Sequence, residues 1–342
     1  MGLPTGFDRE EFRDHLETAR AMISEASEYG QQLAADSDTM VFVGCGAPNR
    51  TARLIDHYVD TKVGSTRIRS YLPAELTQID PRFIDNGRTV AVFGSYSGAT
   101  KETVSAARFC KSKECLTVSI TRLDDSPLSA QVDHKLNYGD TKLGDYPQFM
   151  LTSALATGFL SVKEPVSWDV HEPMLESLQS LPDVLTETVA ASEGMVHEFS
   201  RTHHSQDSLF VVGHGPIYHI AYLLAICSFM EMQKIHATPV IAADFFHGPF
   251  ELIDDSLPVM VLIGEDETRA EGLRVKRFCE NYVAKYLVVD SKDYEMKGIA
   301  EELRGYFSSV VLDAATRRFM DYYAAFRNHD KSTRRYMGIV DY

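Results

Sequence analysis

The chain has 342 residues, 44% of them hydrophobic, and its 49 acidic residues against 34 Lys and Arg give a formal net charge of -15. So acidic a chain, with dispersed basic residues, excludes a nucleic-acid partner held through a basic surface. Five cysteines without a CxxC spacing exclude a disulfide framework and a structural zinc site. No apolar run approaches the roughly 18 to 20 residues that cross a bilayer, and no signal-peptide pattern opens the chain, so we expect a cytoplasmic protein without a membrane partner.

The predicted elements begin with a leading helix, because residues 8–36 place apolar side chains at helical spacing. Short β-branched runs then alternate with longer helical stretches, which is typical of parallel α/β units. Four of these runs end in glycine: TMVFVG at Gly44, TVAVFG at Gly94, SLFVVG at Gly213 and VMVLIG at Gly264. The first pair and the second pair have nearly the same spacing, which indicates one unit repeated after about 170 residues.

Further strands are predicted at 67–72, 116–120 and 286–289, and further helices at 170–201 and 316–327. Together these elements predict an α/β protein with two similar subdomains, each a parallel sheet flanked by helices in a flavodoxin-like αβα sandwich. The predicted organisation is an N-terminal helix 1–36, a first subdomain 37–168, a linking helix 169–204, a second subdomain 205–325 and a tail 326–342.

Ligands of open parallel sheets bind where strands end and helices begin, and two such junctions stand out in the first subdomain. The turn GSYSGATKET at 94–103 carries hydroxyls at Ser95, Ser97 and Thr100, where free N–H groups and a helix dipole attract a phosphate. A helix cap with incidental hydroxyls would give the same pattern. The turn at 94–103 lacks a P-loop lysine, which favours a phosphorylated small molecule over a nucleoside triphosphate as its ligand. The other junction, GCGAPN at 44–49, is not a dinucleotide fingerprint.

Residues 228–253, SFMEMQKIHATPVIAADFFHGPFELI, place Glu231 and His247 in mostly apolar company, which suggests acid/base chemistry. Pro249 suits a first helical turn, so His247 is expected just ahead of a positive helix end. A solvated glutamate at a helix end and an ordinary core histidine are the alternative interpretations.

These motifs together resemble the sugar isomerase (SIS) domain family, in the tandem arrangement of the isomerase half of glucosamine-6-phosphate synthase. The resemblance spans nearly the whole chain and includes GCGAPN, SYSGATKET and a glutamate followed sixteen residues later by HGP. It implies that the turn holds a sugar phosphate, that Glu231 moves a proton between sugar C1 and C2, and that His247 serves ring opening. The implied phosphate contacts are Ser95, Tyr96, Ser97 and Thr100. The backbone at Gly46 and Ala47 is a further candidate for contact with the substrate.

The chain departs from the synthase because it has no glutamine-hydrolysing domain, and Ser228 stands where the synthase has a lysine. It is instead similar to the stand-alone fructoselysine-6-phosphate deglycases, which share HGPFELI-like and RRYxGxVxY motifs, the latter matched by Arg334 to Tyr342. The resemblance implies a phosphorylated sugar-amine substrate, no metal or organic cofactor, and a two-fold homodimer whose active sites are shared between subunits. Exposure of Phe245 and Phe246 in a monomer would be costly, which supports the dimer.

Two rival functions remain. One is an aldose–ketose or amino-sugar phosphate isomerase, which uses the same residues and releases no amine. The other is a non-catalytic SIS regulator that binds a sugar phosphate. Such regulators usually carry a DNA-binding helix-turn-helix, whereas residues 1–36 are predicted as a single acidic helix. The tail, through Arg334–Tyr336 or Tyr342, either closes the pocket or is simply docked.

Overall fold

The computed structural model describes residues 3–4, 6–63, 66–85 and 87–341, and the chain folds into two units. The first unit consists of Glu10–Pro182 and Gly298–Leu303. The second consists of Asp183–Lys297 and Arg304–Tyr342, with the start of the chain up to Arg9. Each unit contains one fully parallel sheet with flanking helices, so the predicted fold class is confirmed.

The first unit is built on a five-stranded sheet of order β2-β1-β3-β4-β5. Its strands are β1 (Thr39–Gly44), β2 (Arg67–Tyr71), β3 (Thr89–Ser95), β4 (Leu116–Thr121) and β5 (His134–Asn137). Its helices are α1 (Arg9–Ala21), α2 (Ile23–Asp36), α3 (Ala47–Lys62), α4 (Pro73–Ile79), α5 (Lys101–Ser112) and α6 (Asp145–Lys163). Both central strands β1 and β3 are buried along their whole length, as expected when helices cover both faces of a parallel sheet.

Between the two units the chain is helical, since α7 (His171–His203) contains the boundary that follows Pro182. The short segment Gly298–Leu303 returns to the first unit, where the Ala300 N–H donates to the hydroxyl of Ser177 at 3.0 Å. The first unit is therefore assembled from pieces of chain that are distant in sequence.

The second unit has a four-stranded sheet of order β7-β6-β8-β9. Its strands are β6 (Ser208–Gly213), β7 (His236–Ile241), β8 (Val259–Ile263) and β9 (Tyr286–Asp290). Its helices after α7 are α8 (Pro216–Tyr222), α9 (Glu231–Gln233), α10 (Arg269–Tyr282), α11 (Arg304–Thr316) and α12 (Phe319–Arg327). A π-helical stretch, Leu223–Met230, joins α8 to α9 without a break.

The two faces of this second sheet are covered by different segments. A Cβ added to Gly213 would meet the carbonyl of Ile217 at 2.8 Å, so α8 covers the face on which Gly213 lies. Side chains alternate along a strand, so Val212 faces the other way. There it joins a core with Phe245 and with Val275 of α10. The sheet therefore separates the α8–α9 run from the segment that follows β7.

Several sequence predictions differ from the structure. The leading helix is two helices, because the Met22 N–H bonds to the carbonyl of Ala19, three residues back, in a turn between α1 and α2. Helix 316–327 begins only at Phe319, and α11 precedes it. Pro249 does begin a helical turn, but this is a 3-10 helix of four residues, Pro249–Leu252. No helix in the described part of the chain is long and apolar enough to span a bilayer.

Candidate active site

Glu231 lies where the π-helical stretch ends and α9 begins. Its side chain is 26% exposed, so it is neither a core group nor a fully solvated one. The run from Pro216 to Gln233 is about 27 Å long at 1.5 Å per residue, and it leads from the carboxyl end of β6 to the amino end of β7. Lys234 then ends the helix in the left-handed conformation. Glu231 is thus presented at the end of a helix near the amino edge of the second sheet.

The tail surrounds Glu231 with positive charge. Arg334 Nη2 donates to Glu231 Oε1 at 2.7 Å, and its Nη1 donates to the carbonyl of Lys331 at 2.8 Å. Lys234 Nζ donates to the carbonyls of Glu231 and, at 3.0 Å, of Thr333. The sequence predicted mostly apolar surroundings for Glu231. The structure differs, because the tail folds back onto the helix end and brings Arg334 to the carboxylate. This charge-assisted hydrogen bond to a guanidinium holds the Glu231 side chain in place at the helix end.

His247 lies in the segment after β7 and is exposed. Its backbone N–H donates to the carbonyl of Asp244 at 2.9 Å. The following 3-10 turn is too short to provide the helix dipole that was expected there. Upstream, the Ala243 N–H donates to His214 Nδ1 at 3.2 Å, so His214 holds the start of this segment.

The aromatic residues before His247 are not exposed as the sequence argument required. Phe245 is fully buried, and Phe246 is partly buried, 5.6 Å from the Phe278 ring of α10. Phe245 is therefore covered within its own unit, and Phe246 is covered in part. Their burial gives no separate support to the predicted dimer, which stays a prediction.

The segments that carry Glu231 and His247 of one chain pack on opposite faces of the second sheet. The α8–α9 run, which ends at Glu231, covers one face, and Phe245, which precedes His247, packs into the core of the other. No hydrogen bond joins the two side chains, both of which are among the described residues. The second unit alone does not bring these two predicted catalytic groups together.

In the first unit, the turn after β3 is organised by its own hydroxyls. Ser95 Oγ accepts from the Gly98 N–H at 3.1 Å and is hydrogen-bonded to Thr100 Oγ1 at 3.2 Å. Ser97 is exposed, and its Oγ accepts from the Ala99 N–H at 3.2 Å, which leaves the hydroxyl proton to donate. Thr100 precedes α5, a helix of 12 residues. The structure therefore places Ser95, Ser97 and Thr100 together at a helix N-terminus.

Tyr96 and Arg122 lie beside this turn. The Tyr96 hydroxyl donates to the carbonyl of Thr141 at 2.8 Å, so Tyr96 would contact an anion through its backbone N–H rather than its hydroxyl. The Arg122 guanidinium lies 4.8 Å from the centre of the Tyr96 ring and pairs with Asp140 at 2.9 Å. Sequence reasoning missed Arg122, although its place directly after β4, next to β3, could have indicated it.

Gly46 and Ala47 form the junction between β1 and α3. Gly46 has φ 60° and ψ -128°, and a Cβ there would meet nothing within 4 Å. Open space beside a glycine backbone allows a ligand to approach closely. Of the tail residues, Arg334 contacts Glu231 and Tyr336 lines the same cleft, whereas Tyr342 lies outside the described residues.

Comparisons with known proteins identify the family and the fold. Residues 33–155 match the SIS domain model. The chain is 32% identical to fructosamine deglycase FrlB of Bacillus subtilis over 307 residues, covering 89% of this chain and 93% of that protein. It is 21% identical to fructoselysine 6-phosphate deglycase of Escherichia coli over 91% of this chain and 89% of that one.

A crystal structure solved for a Bacillus subtilis protein, described as a candidate phosphosugar isomerase, has the same fold. The TM-score is 0.87 at 30% identity, covering 95% of this chain and 100% of the other. Since sequence and fold both match along nearly the whole length, the chain belongs to the SIS-domain family that includes fructosamine deglycase FrlB.

Proposed function

We propose that the protein is a deglycase for a phosphorylated Amadori compound, a 1-amino-1-deoxyfructose 6-phosphate whose amine is part of an amino acid. The products are glucose 6-phosphate and the free amine. The observation that carries the proposal is the Glu231 carboxylate, held at 2.7 Å by Arg334 in an open cleft of a chain that is 32% identical to a fructosamine deglycase.

The chemistry requires one proton shuttle. The C2 carbonyl acidifies the C1 protons, so a carboxylate placed against C1 removes one and leaves an enaminol. Return of a proton at C2 gives an imine between C1 and the amine nitrogen, and water hydrolyses that imine. Glu231 Oε1 is bound by Arg334, which leaves Oε2 facing the substrate for both transfers. Such general acid/base steps typically contribute about 10² to 10⁴-fold.

The phosphate is assigned to the turn after β3. The Ser97 hydroxyl and one hydroxyl of the hydrogen-bonded pair Ser95 and Thr100 donate to phosphate oxygens, with N–H groups at the start of α5 adding the favourable helix dipole. The backbone at Gly46 and Ala47 contacts the sugar from the neighbouring junction. The turn carries no P-loop lysine, so its hydroxyl and backbone donors suit the single phosphate of a small molecule better than the phosphates of a nucleoside triphosphate.

We propose further that each site is shared between two copies in a two-fold dimer. Because the second sheet separates Glu231 from His247 of the same chain, the histidine that opens the sugar ring at one Glu231 is supplied by the partner. A two-fold interface makes two equivalent sites of this kind.

Subunit mixing tests the sharing. Glu231→Ala and His247→Ala are each expected to be inactive. After exchange, about half of the dimers are heterodimers with one intact site and one doubly substituted site, so about a quarter of native activity should return. Native mass spectrometry measures the heterodimer fraction. An inactive mixture that contains heterodimers would assign both residues to one subunit.

The reaction itself is tested with a panel of phosphorylated sugar-amine adducts, assayed for glucose 6-phosphate and for free amine. A deglycase releases the two products in equal amounts. The second candidate is a phosphosugar isomerase, which the description of the Bacillus subtilis structure favours. Interconversion of ketose and aldose phosphates, with every adduct left intact, would select that function and reject the deglycase.

A further inference from the structure

The cleft at Glu231 carries more positive charge than the proton shuttle requires. It has a volume of about 450 Å³, and its wall is formed by Glu231, Lys234, Arg334, Arg335, Tyr336 and Met337. Three cations therefore face one carboxylate. The pKa of the Lys234 ammonium is lowered from its ordinary value, mainly by loss of solvent and further by repulsion from Arg334 and Arg335. Positive charge in this cleft is thus in excess.

Two of the three cations already have partners. Lys234 binds the carbonyls of Glu231 and Thr333, which ties the tail to the helix end. Arg334 binds Glu231 and the carbonyl of Lys331. Arg335 is exposed and makes no hydrogen bond or ion pair with any residue in the described ranges. Its guanidinium keeps all its donors for a ligand.

We propose that Arg335 binds a carboxylate on the amine part of the substrate, and so selects adducts in which that carboxylate is close to the amine nitrogen. This inference rests on the proposed deglycase function. In an adduct formed through an α-amino group, the carboxylate carbon is three bonds from C1, so it lies within about 5 Å of the carbon that Glu231 deprotonates. Arg335 and Glu231 line the same cleft, so a substrate whose C1 lies at Glu231 presents its carboxylate on the side of the cleft wall that carries Arg335.

The chemistry of the group also fits. A guanidinium presents paired N–H donors that match the two oxygens of a carboxylate, and such charge-assisted pairs are stronger than neutral hydrogen bonds. Tyr336 and Met337 are 63% and 49% exposed, so the wall beside Arg335 is open and partly apolar. An amino-acid side chain can extend along it, which makes the backbone carboxylate, rather than the side chain, the recognised feature.

The test compares two phosphorylated adducts of equal size, one of glycine and one of glycinamide, in which only the charge differs. We expect wild type to favour the glycine adduct in kcat/KM by about 10 to 100-fold, as for a hydrogen bond to a charged group. Arg335→Gln should remove most of this preference by lowering kcat/KM for the glycine adduct alone. Arg277→Gln, which removes another exposed arginine outside the cleft, should leave the preference unchanged.

Binding of both adducts to Glu231→Gln, measured by calorimetry, provides the same comparison without turnover. Equal affinity for the two adducts, or an equal loss for both in Arg335→Gln, overturns the carboxylate assignment even if amine release occurs. Turnover that stops at sugar-phosphate isomerisation rejects the deglycase function. In that case, a binding preference for the charged adduct that Arg335→Gln removes would still support Arg335 as its ligand.

Discussion

The turns that follow β3 and β8 occupy equivalent places in the two units, yet they differ in chemistry. From the last residue of β3 the chain reads SYSGAT, with four hydroxyls, whereas after β8 it reads GEDETR, with three carboxylates. In the second turn Glu265 pairs with Arg304 at 2.8 Å and Arg269 pairs with Asp290 at 2.6 Å. The first turn thus offers donors to an anion, while the second repels anions and uses its charges to hold its own unit together.

The glycine junctions show the same difference. Gly215 has φ 51° and ψ -130°, nearly the conformation of Gly46, so both units use the same tight turn from strand to helix. A Cβ on Gly215 would meet Thr268 Oγ1 at 2.7 Å, however, whereas the space beside Gly46 is open. One copy of the repeat has kept room for a ligand at its carboxyl edge and the other has filled it. In the proposed mechanism the second unit contributes through a helix end instead, at Glu231.

The largest expected effect tests whether the second unit supplies the proton shuttle through Glu231. Glu231→Gln keeps the shape of the side chain but cannot carry the proton, so kcat for amine release should fall about 10² to 10⁴-fold while substrate binding persists. Glu267→Gln is the matched control, since it neutralises an exposed carboxylate in the turn after β8 and should leave kcat within about threefold. Turnover by the Glu231 variant within tenfold of wild type would exclude it as the base.

The next effect concerns the hydroxyl turn. Ser97→Ala combined with Thr100→Ala removes two donors, so KM for the phosphorylated substrate should rise by about 10 to 100-fold. The dephosphorylated analogue should be nearly unaffected, because it lacks the group that these donors hold. Steady-state kinetics on both substrates measures the difference. If KM rises equally for the two, the phosphate is bound elsewhere.

The smallest effect compares the two glycines through stability. Gly46→Ala and Gly215→Ala both force a side chain into a left-handed φ, which costs about 1 to 3 kcal/mol. Gly215→Ala must also displace Thr268, so we expect it to lose about 1 to 2 kcal/mol more. Urea unfolding of both variants gives the difference in free energy. Equal losses would mean that Thr268 moves aside freely and that the second junction is not filled.

Much of the fold follows from local sequence pattern. The four glycine-ended runs coincide with β1, β3, β6 and β8, because buried parallel strands need continuous β-branched residues. The strands β5 and β7 were not predicted, although the other two edge strands, β2 and β9, were. β5 has only four residues, and β7 contains Pro239, which an edge strand tolerates.

The candidate site was only partly predictable for a different reason. Motifs located Glu231, His247 and the hydroxyl turn, because each lies in a short, recognisable stretch of sequence. The contact between Glu231 and Arg334 joins residues 103 positions apart, which no local pattern encodes. The π-helical stretch Leu223–Met230 also lacks a sequence signature, although such turns recur beside functional residues.

The return of Gly298–Leu303 to the first unit has a consequence for biosynthesis. A nascent chain synthesised as far as Pro182 still lacks the last piece of its first unit, Gly298–Leu303, which follows more than a hundred residues later. At about 5 to 20 residues per second, a ribosome delivers that piece roughly 6 to 23 s afterwards. During this interval the site on Ser177 that Ala300 later fills stays open to solvent and to chaperones. The unit that is synthesised first is therefore completed only when the unit that follows it is nearly finished.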